Sequence, residues 1–467
     1  MSGECSRRSF LTQVAGAVAA PLLLTACKRG SGSGADESAS IGEDLDLDEV
    51  PEAASFRPPL PASEPLIRVR VMKVRSAGVS LRIGSADQWL RVHRAQTVGK
   101  GVALSGPLQV AMEASGWAIT DGKGFRAAVD GREPIEISPM LDDPAALLEV
   151  QEAEHPSAQS EPRRYPGTLR LMSRHDLEPA SSRSFDLIND VPLETYLPGV
   201  LAGELYKTWQ LQTFAAQAVA ARSFACTEIA VFAGKRHYDV TNTASSQMYI
   251  GNVTDSRAHE AVALTRGMTL AYDGLLVSGY YSSCCGGVAA SATDAIGSNP
   301  VNDVPPLVGR SEPDVCSNTP YYQWKVDQPI EVLSRRLVGF GKDRKKKDLI
   351  SLSRLEAIDI IAANPHGRPT RMRVMDDRQT AVEMTAENFR RAANFSGQGL
   401  NPPDKPLRSS FFRSVVNRNT VTFDGFGFGH GVGLCQYGAE ALAKAGKPYY
   451  EIVQWYYPGV ELVQAYG

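Results

Sequence analysis

The residue in this sequence best suited to proton transfer is Glu204. Leu193, Leu197, Val200 and Leu201 define one apolar helical face, and Glu204 follows Val200 by four positions on that face. A carboxyl held there is partly desolvated, which raises its pKa and suits a general acid near neutral pH. The plainer alternative is a surface glutamate at a frayed helix end. Arg222 lies on the apolar stripe of the next helix, four residues after Ala218. A guanidinium buried there must find a partner, and Glu204 is the nearest candidate along the chain. On pattern alone a catalytic Glu204 and a structural Glu204–Arg222 pair are equally good readings; in the catalytic one Arg222 touches Glu204 only loosely or binds substrate instead. A close pair would pull the Glu204 pKa down, against the acid role.

Two further segments carry polar groups in unusual settings. Gly425–Gly433 alternates glycine with Phe426, Phe428, His430 and Val432. Such a backbone can approach a ligand closely or take positive φ, and before a helix its N–H groups would face a polar ligand. It lacks the Lys-Ser/Thr of a phosphate-binding loop. His430 reads as a donor to hydroxyl groups or as a structural histidine. In the segment Tyr280–Gly287, strand alternation puts Tyr280 and Ser282 on one face, suited to carbohydrate or to a plain turn. No Gly-x-Ser-x-Gly elbow supports a serine hydrolase. The seven cysteines form no Cys-x-x-Cys pair, and His237 and His259 show no tight ligand spacing, so no metal or other cofactor is expected. Adjacent cysteines rarely bond each other, so one of Cys284 or Cys285 could pair with Cys316; the pairing among Cys284, Cys285, Cys316 and Cys435 stays open.

These residues must be positioned by a mixed scaffold. Ile67, Val69 and Val71 alternate with Arg68 and Arg70 at strand spacing, and the region 66–190 reads as β-rich. Residues 191–233 switch to helix, with Pro192 suited to a first turn and Pro198 expected to kink or restart the helix. The second helix is expected over 209–232. Asp273-Gly274 marks a tight hairpin, a second hairpin is expected at Asp376-Asp377, and helices near 436–445 and 448–457 close the chain. The expected fold class is α+β: a β-rich body, a helical segment carrying Glu204, and a long open cleft.

The N-terminus has the form of an export signal. Ser6-Arg7-Arg8-Ser9-Phe10-Leu11 is a twin-arginine pattern, followed by a weakly apolar stretch from Val14 to Leu24. Leu24-Thr25-Ala26-Cys27 resembles a lipobox, in which Cys27 would receive lipid. The expected protein is therefore an exported, membrane-anchored lipoprotein of the periplasm or cell envelope, in an oxidising compartment. Residues 28–65, rich in Gly/Ser, then acidic, then Pro, form a disordered tether. The expected division is a signal over 1–27, the tether over 28–65, a β-rich region over 66–160 and a catalytic domain over 161–467. A net charge of −3 gives no footprint for nucleic acid.

Several motifs in register resemble one family. Val191–Glu204 and Gln217–Ala225, then Tyr238–Thr243 with Gln247–Tyr249, then Tyr281–Ser283 with Gly286-Gly287, Gly429–Ala439 and Trp455–Gly459 are similar to the stage II sporulation protein D and amidase-enhancer (SpoIID/LytB) family over roughly 165–465. The resemblance implies a lytic transglycosylase that cuts between MurNAc and GlcNAc in peptidoglycan, preferably on strands stripped of stem peptides, and leaves 1,6-anhydroMurNAc ends. It maps the catalytic Glu onto Glu204 and a helix Arg onto Arg222. It also implies that Gln217, Gln247, Tyr249, Ser282, Ser283, His430 and Gln436 line the groove. Some relatives bind zinc beside the Tyr-Asp-Val segment, but Thr241 and Ser246 stand where the cysteines would be, so no zinc is expected there. Phe428 replaces a more usual Trp, which leaves sugar stacking at that spot open. A hydrolase would need a second carboxylate across the bond, for which Asp239 and Asp294 are the candidates to exclude. The alternative function is a non-catalytic glycan-binding activator of a cell-wall amidase. A third is an envelope scaffold indifferent to Glu204→Gln.

Overall fold

The computed structural model describes residues 56–74, 79–95, 101–140, 143, 145–152, 162–174, 183–310, 312 and 314–467. The export signal, Cys27 and most of the tether lie outside the described residues.

The fold is mixed α and β and rich in strand, as the alternation at its start implies. In Leu66–Val74 the side chains of Ile67, Val69, Val71 and Val74 are buried. This strand pairs antiparallel with Phe185–Pro192 and parallel with Val240–Thr241 inside a seven-stranded sheet. A six-stranded sheet packs its own apolar residues into the same core, which includes Leu81, Ile83, Leu108 and Trp117. Both sheets join strands from either side of residue 160: Arg163–Pro166 pairs with Leu147–Glu152, and Thr168–Ser173 pairs with Ile135–Pro139.

Helix α1 (Leu193–Glu204) follows directly from Phe185–Pro192, and α2 (Leu211–Phe232) packs against it. Pro192 occupies the N-cap position, but Pro198 lies inside a continuous α1 and does not restart it. The helix tolerates the lost N–H because Tyr196, Leu197 and Val200 are sealed into the core. Helix α2 is buried without a break from Thr213 to Thr227, more than the single stripe expected. Its first turn has no side-chain cap of its own. The Glu440 carboxylate, from helix Gln436–Lys444, accepts from the Gln210 N–H at 2.9 Å and the Thr213 hydroxyl at 2.7 Å.

The hairpin at Asp273-Gly274 forms, both residues having positive φ (51° and 72°), as a primed turn needs. The hairpin expected at Asp376-Asp377 also forms, between Pro369–Asp376 and Ala381–Thr385. It belongs to a separately cored segment whose two three-stranded sheets and helices Ile330–Asp343 and Ala386–Ala393 bury Trp324, Leu337, Met372, Phe389 and Phe423. This segment sits in sequence between Tyr280–Gly287 and the glycine-rich loop.

Candidate active site

Glu204 ends α1, half-buried. Its Oε1 accepts from the Met248 backbone N–H at 2.9 Å and the Tyr281 hydroxyl at 3.1 Å, and its Oε2 from the Gln436 amide at 3.2 Å. Burial raises the carboxyl pKa, and the three donors only partly pull it back. Gly203 lets α1 come this close, because a Cβ there would lie 2.2 Å from the Met248 carbonyl. Behind the carboxylate runs a chain of hydrogen bonds. The Gln247 amide donates to the Tyr281 hydroxyl at 3.2 Å and to the Ala221 carbonyl at 3.2 Å, and accepts from Tyr196 at 3.1 Å. The parallel pairing of Tyr281–Ser282 with Leu434–Cys435 brings Tyr281 and Gln436, the residue after Cys435, to the same carboxylate.

Arg222 does not pair with Glu204. It is fully buried and makes a two-pronged bond to Glu194, at 2.7 and 2.8 Å, while Tyr466 donates to the same carboxylate at 2.7 Å. Burial alone would raise the Glu194 pKa; Arg222 and Tyr466 hold it below the usual carboxylate range. Arg222 also donates to the Met268 carbonyl at 3.1 Å. It positions α1 on α2 and touches no solvent. Nearest in sequence was the wrong criterion, because Glu194 is one helix-length earlier and faces α2.

The remaining expected groove residues divide. Gln436 contacts Glu204 directly, and Gln247 acts through Tyr281. Gln217 is buried one turn before Ala221, and neither amide atom meets a protein partner. Tyr249 is a core residue, not a groove residue: it is fully buried, its ring lies 4.7 Å from Tyr196, and its hydroxyl donates to Asn189 at 3.0 Å. Ser282 is buried and accepts from the Gly431 N–H at 3.2 Å. Ser283 is half-buried, and its carbonyl accepts from the Tyr437 N–H at 3.1 Å. His430 is half-buried, and its Nδ1 accepts from the Val432 N–H at 3.0 Å, which leaves the proton on Nε2. Burial pushes this imidazole down to about 4, with Glu387 opposing and Arg390 and Arg368 adding to the shift.

The glycines of this loop let it pack closely on backbone of the same chain. Gly427, Gly429, Gly431 and Gly433 all have positive φ, and a Cβ on Gly433 would lie 2.1 Å from the Tyr280 carbonyl. The loop leads into the short strand Leu434–Cys435, so it does not itself open the helix. Beneath it lies the fully buried guanidinium of Arg368, which donates to the carbonyls of Cys285 (2.8 Å), Val288 (3.0 Å) and His430 (3.0 Å).

Of the carboxylates to exclude, Asp239 is buried and bonded to Arg68, and exposed Asp294 bonds to Ser291 at the start of a one-turn helix. His237 turns to Asp186 at 2.7 Å, and the Thr241 N–H donates to the Ser246 hydroxyl. Cys284, Cys285, Cys316 and Cys435 are free thiols, and neither Cys284 nor Cys285 is bridged to Cys316.

Three features escaped the sequence reading. Tyr281 faces away from Ser282 by strand alternation, and that signal would have found it. Glu228, two turns beyond Ala221 on the same face of α2, is half-buried and pushed up to about 7 by burial, against the pull of Arg236. An aromatic shelf adjoins Glu204: Tyr206, Trp209 and Tyr437 lie with ring centroids 5.0–6.2 Å apart, and Tyr321 continues it to Phe428.

The Stage II sporulation protein profile (SpoIID) matches residues 181–272, which span the strand Phe185–Pro192, α1, α2 and the chain onward to the strand Met268–Tyr272. An uncharacterized protein of Brachyspira hyodysenteriae is 31% identical over 279 residues, 59% of this chain and 68% of its own length. The chain belongs to the SpoIID/LytB family. Two other members are the "Amidase enhancer" of Bacillus subtilis, 27% identical across 57% of this chain and 40% of its own length, and the "Stage II sporulation protein D" of the same species, 26% identical across 60% and 76%. A second profile, a domain of unknown function (DUF8618), matches residues 307–433. It covers the separately cored segment and the glycine-rich loop of this SpoIID/LytB member.

Proposed function

We propose that this protein is an exported, lipid-anchored lytic transglycosylase that cleaves MurNAc–GlcNAc bonds of peptidoglycan. The observation that carries the reading is Glu204, a partly exposed carboxyl with a raised pKa held by three donors at 2.9–3.2 Å. In this reading Glu204 protonates the glycosidic oxygen as the C1–O bond breaks through an oxocarbenium-like state. The resulting carboxylate, steadied by Met248, Tyr281 and Gln436, takes the proton of the MurNAc C6 hydroxyl. That oxygen closes on C1 and leaves a 1,6-anhydro end, so no water is consumed. The exposed ring of Tyr206 and the half-buried ring of Tyr437, backed by buried Trp209, supply apolar faces for sugar rings in place of the missing Trp at Phe428.

Incubation of the purified protein with amidase-treated sacculi should release anhydro-ended sugars, read by mass spectrometry. Glu204→Gln should lower the rate by roughly 10²–10⁴-fold, the range for loss of a general acid/base. The second reading is a glycan-gripping activator of a cell-wall amidase, favoured by the relative named Amidase enhancer. It predicts no anhydro ends, and stimulation of an added amidase that Glu204→Gln leaves unchanged.

A further inference from the structure

Immediately behind the site, four buried groups converge from three segments that are distant in sequence. The thiols of Cys285, Cys316 and Cys435 and the carboxylate of Asp314 each place one ligand atom within 4.8 Å of all the others. The Cys285 and Cys316 sulfurs are 3.7 Å apart. That is the edge of a tetrahedron with metal–sulfur bonds of about 2.3 Å, and nearly twice a disulfide bond of about 2.05 Å. The Asp314 Oδ2 lies 2.9 Å from the Cys285 sulfur, and its other oxygen is oriented by the Tyr456 hydroxyl at 2.9 Å, the kind of outer contact that fixes a metal-bound carboxylate. Charge points the same way. Two buried guanidiniums border the cluster: Arg310 bonds Asp314 at 3.3 Å, whereas the hydrogen bonds of Arg368 go to three neutral carbonyls, one of them that of Cys285. Buried cations call for anionic surroundings, and thiolates on a metal provide them.

We propose that Cys285, Cys316, Cys435 and Asp314 bind one structural zinc ion. On binding, the three thiols release three protons to solvent and become zinc-bound thiolates, with the Asp314 carboxylate as fourth ligand. All four positions are then filled by protein, so the ion has no catalytic opening. Its effect is positional. Cys285 lies four residues after Tyr281 and Cys435 directly before Gln436, so the ion would clamp the two short strands that aim both donors at Glu204.

The test does not depend on the glycan reading, because it measures metal. The full chain, purified without chelator, should contain about one zinc per molecule by elemental mass spectrometry. Its cluster thiols should react with an alkylating reagent only after zinc is removed. Cys316→Ser should lower zinc content at least tenfold, whereas Cys226→Ser, in α2 and outside the cluster, should leave it unchanged. Should Cys316→Ser fail to fold, the reduced, chelator-treated wild-type chain loaded with Co²⁺ should show a thiolate-to-cobalt charge-transfer band. Disulfides joining these cysteines in the native protein, or no zinc together with no cobalt band, would overturn the proposal.

Discussion

At the scale of single residues, the acid strength of Glu204 is a contest between burial, which favours the neutral form, and three donors, which favour the ionised one. Burial wins, so the acid form persists to higher pH than for an ordinary glutamate, and turnover should fall as pH rises through the shifted value. Tyr281→Phe removes one donor to the carboxylate. Its falling limb should therefore move to higher pH, with kcat reduced roughly tenfold for the loss of a hydrogen bond worth about 1.4 kcal/mol; a pH–rate profile checks both. His430 makes a separate test. Its folded pKa of about 4 lies below the ordinary 6.5, so between those values the unfolded chain takes up a proton that the folded chain refuses. Stability should decline as pH falls through that window, and His430→Asn should flatten the decline. The comparison is made against the parent at each pH, because Glu228, raised from 4.5 to about 7, acts in the opposite sense in both proteins. Glu204 was legible because helical periodicity alone puts it on an apolar face. Tyr281 was legible in principle, since a strand shows opposite faces to opposite sides. The partner of Arg222 was not, because which of two glutamates it meets depends on how two helices cross.

At the scale of elements, α1 and α2 are locked by the buried Arg222–Glu194 pair, and this lock sets where the end of α1 presents Glu204. Arg222→Ala leaves the Glu194 charge buried without its partner, a loss of about 3–5 kcal/mol. The expected result is a lowered denaturant midpoint, with the pH profile of any folded fraction unmoved because Arg222 does not contact Glu204. The glycine-rich loop carries a lesson about inference from composition. Alternating glycines in Gly425–Gly433 suggested close approach to a ligand, and the close approach is real, but the neighbour is backbone of the same chain at Tyr280 and Cys284. A glycine pattern tells that something comes near; it does not tell what.

For the whole molecule, the strand alternation, the two central helices and both hairpins were readable from local pattern, because each depends on residues a few positions apart. The sheets that cross residue 160, the separate core around Leu337 and Phe389, and the gathering of cysteines from three segments depend on long-range pairing and left no local trace. The separately cored segment, Trp324 to Phe423, is tied to the site by Arg368. Arg368→Met should strip three carbonyls of their donor, at about 1–3 kcal/mol for each buried group left unmet. Hydrogen exchange should quicken across 425–433 while strands 369–385 stay protected, and activity should drop without loss of the segment's own fold.

That guanidinium therefore helps to hold the appendage to the body that carries Glu204, beside the Asn364 amide that donates to the Ala289 carbonyl. Anyone trimming the chain to a smaller fragment, or exchanging the appendage for that of a cousin, would pull a rivet from beneath the glycine-rich loop. A successful chimera would have to carry the arginine and its three-oxygen socket together.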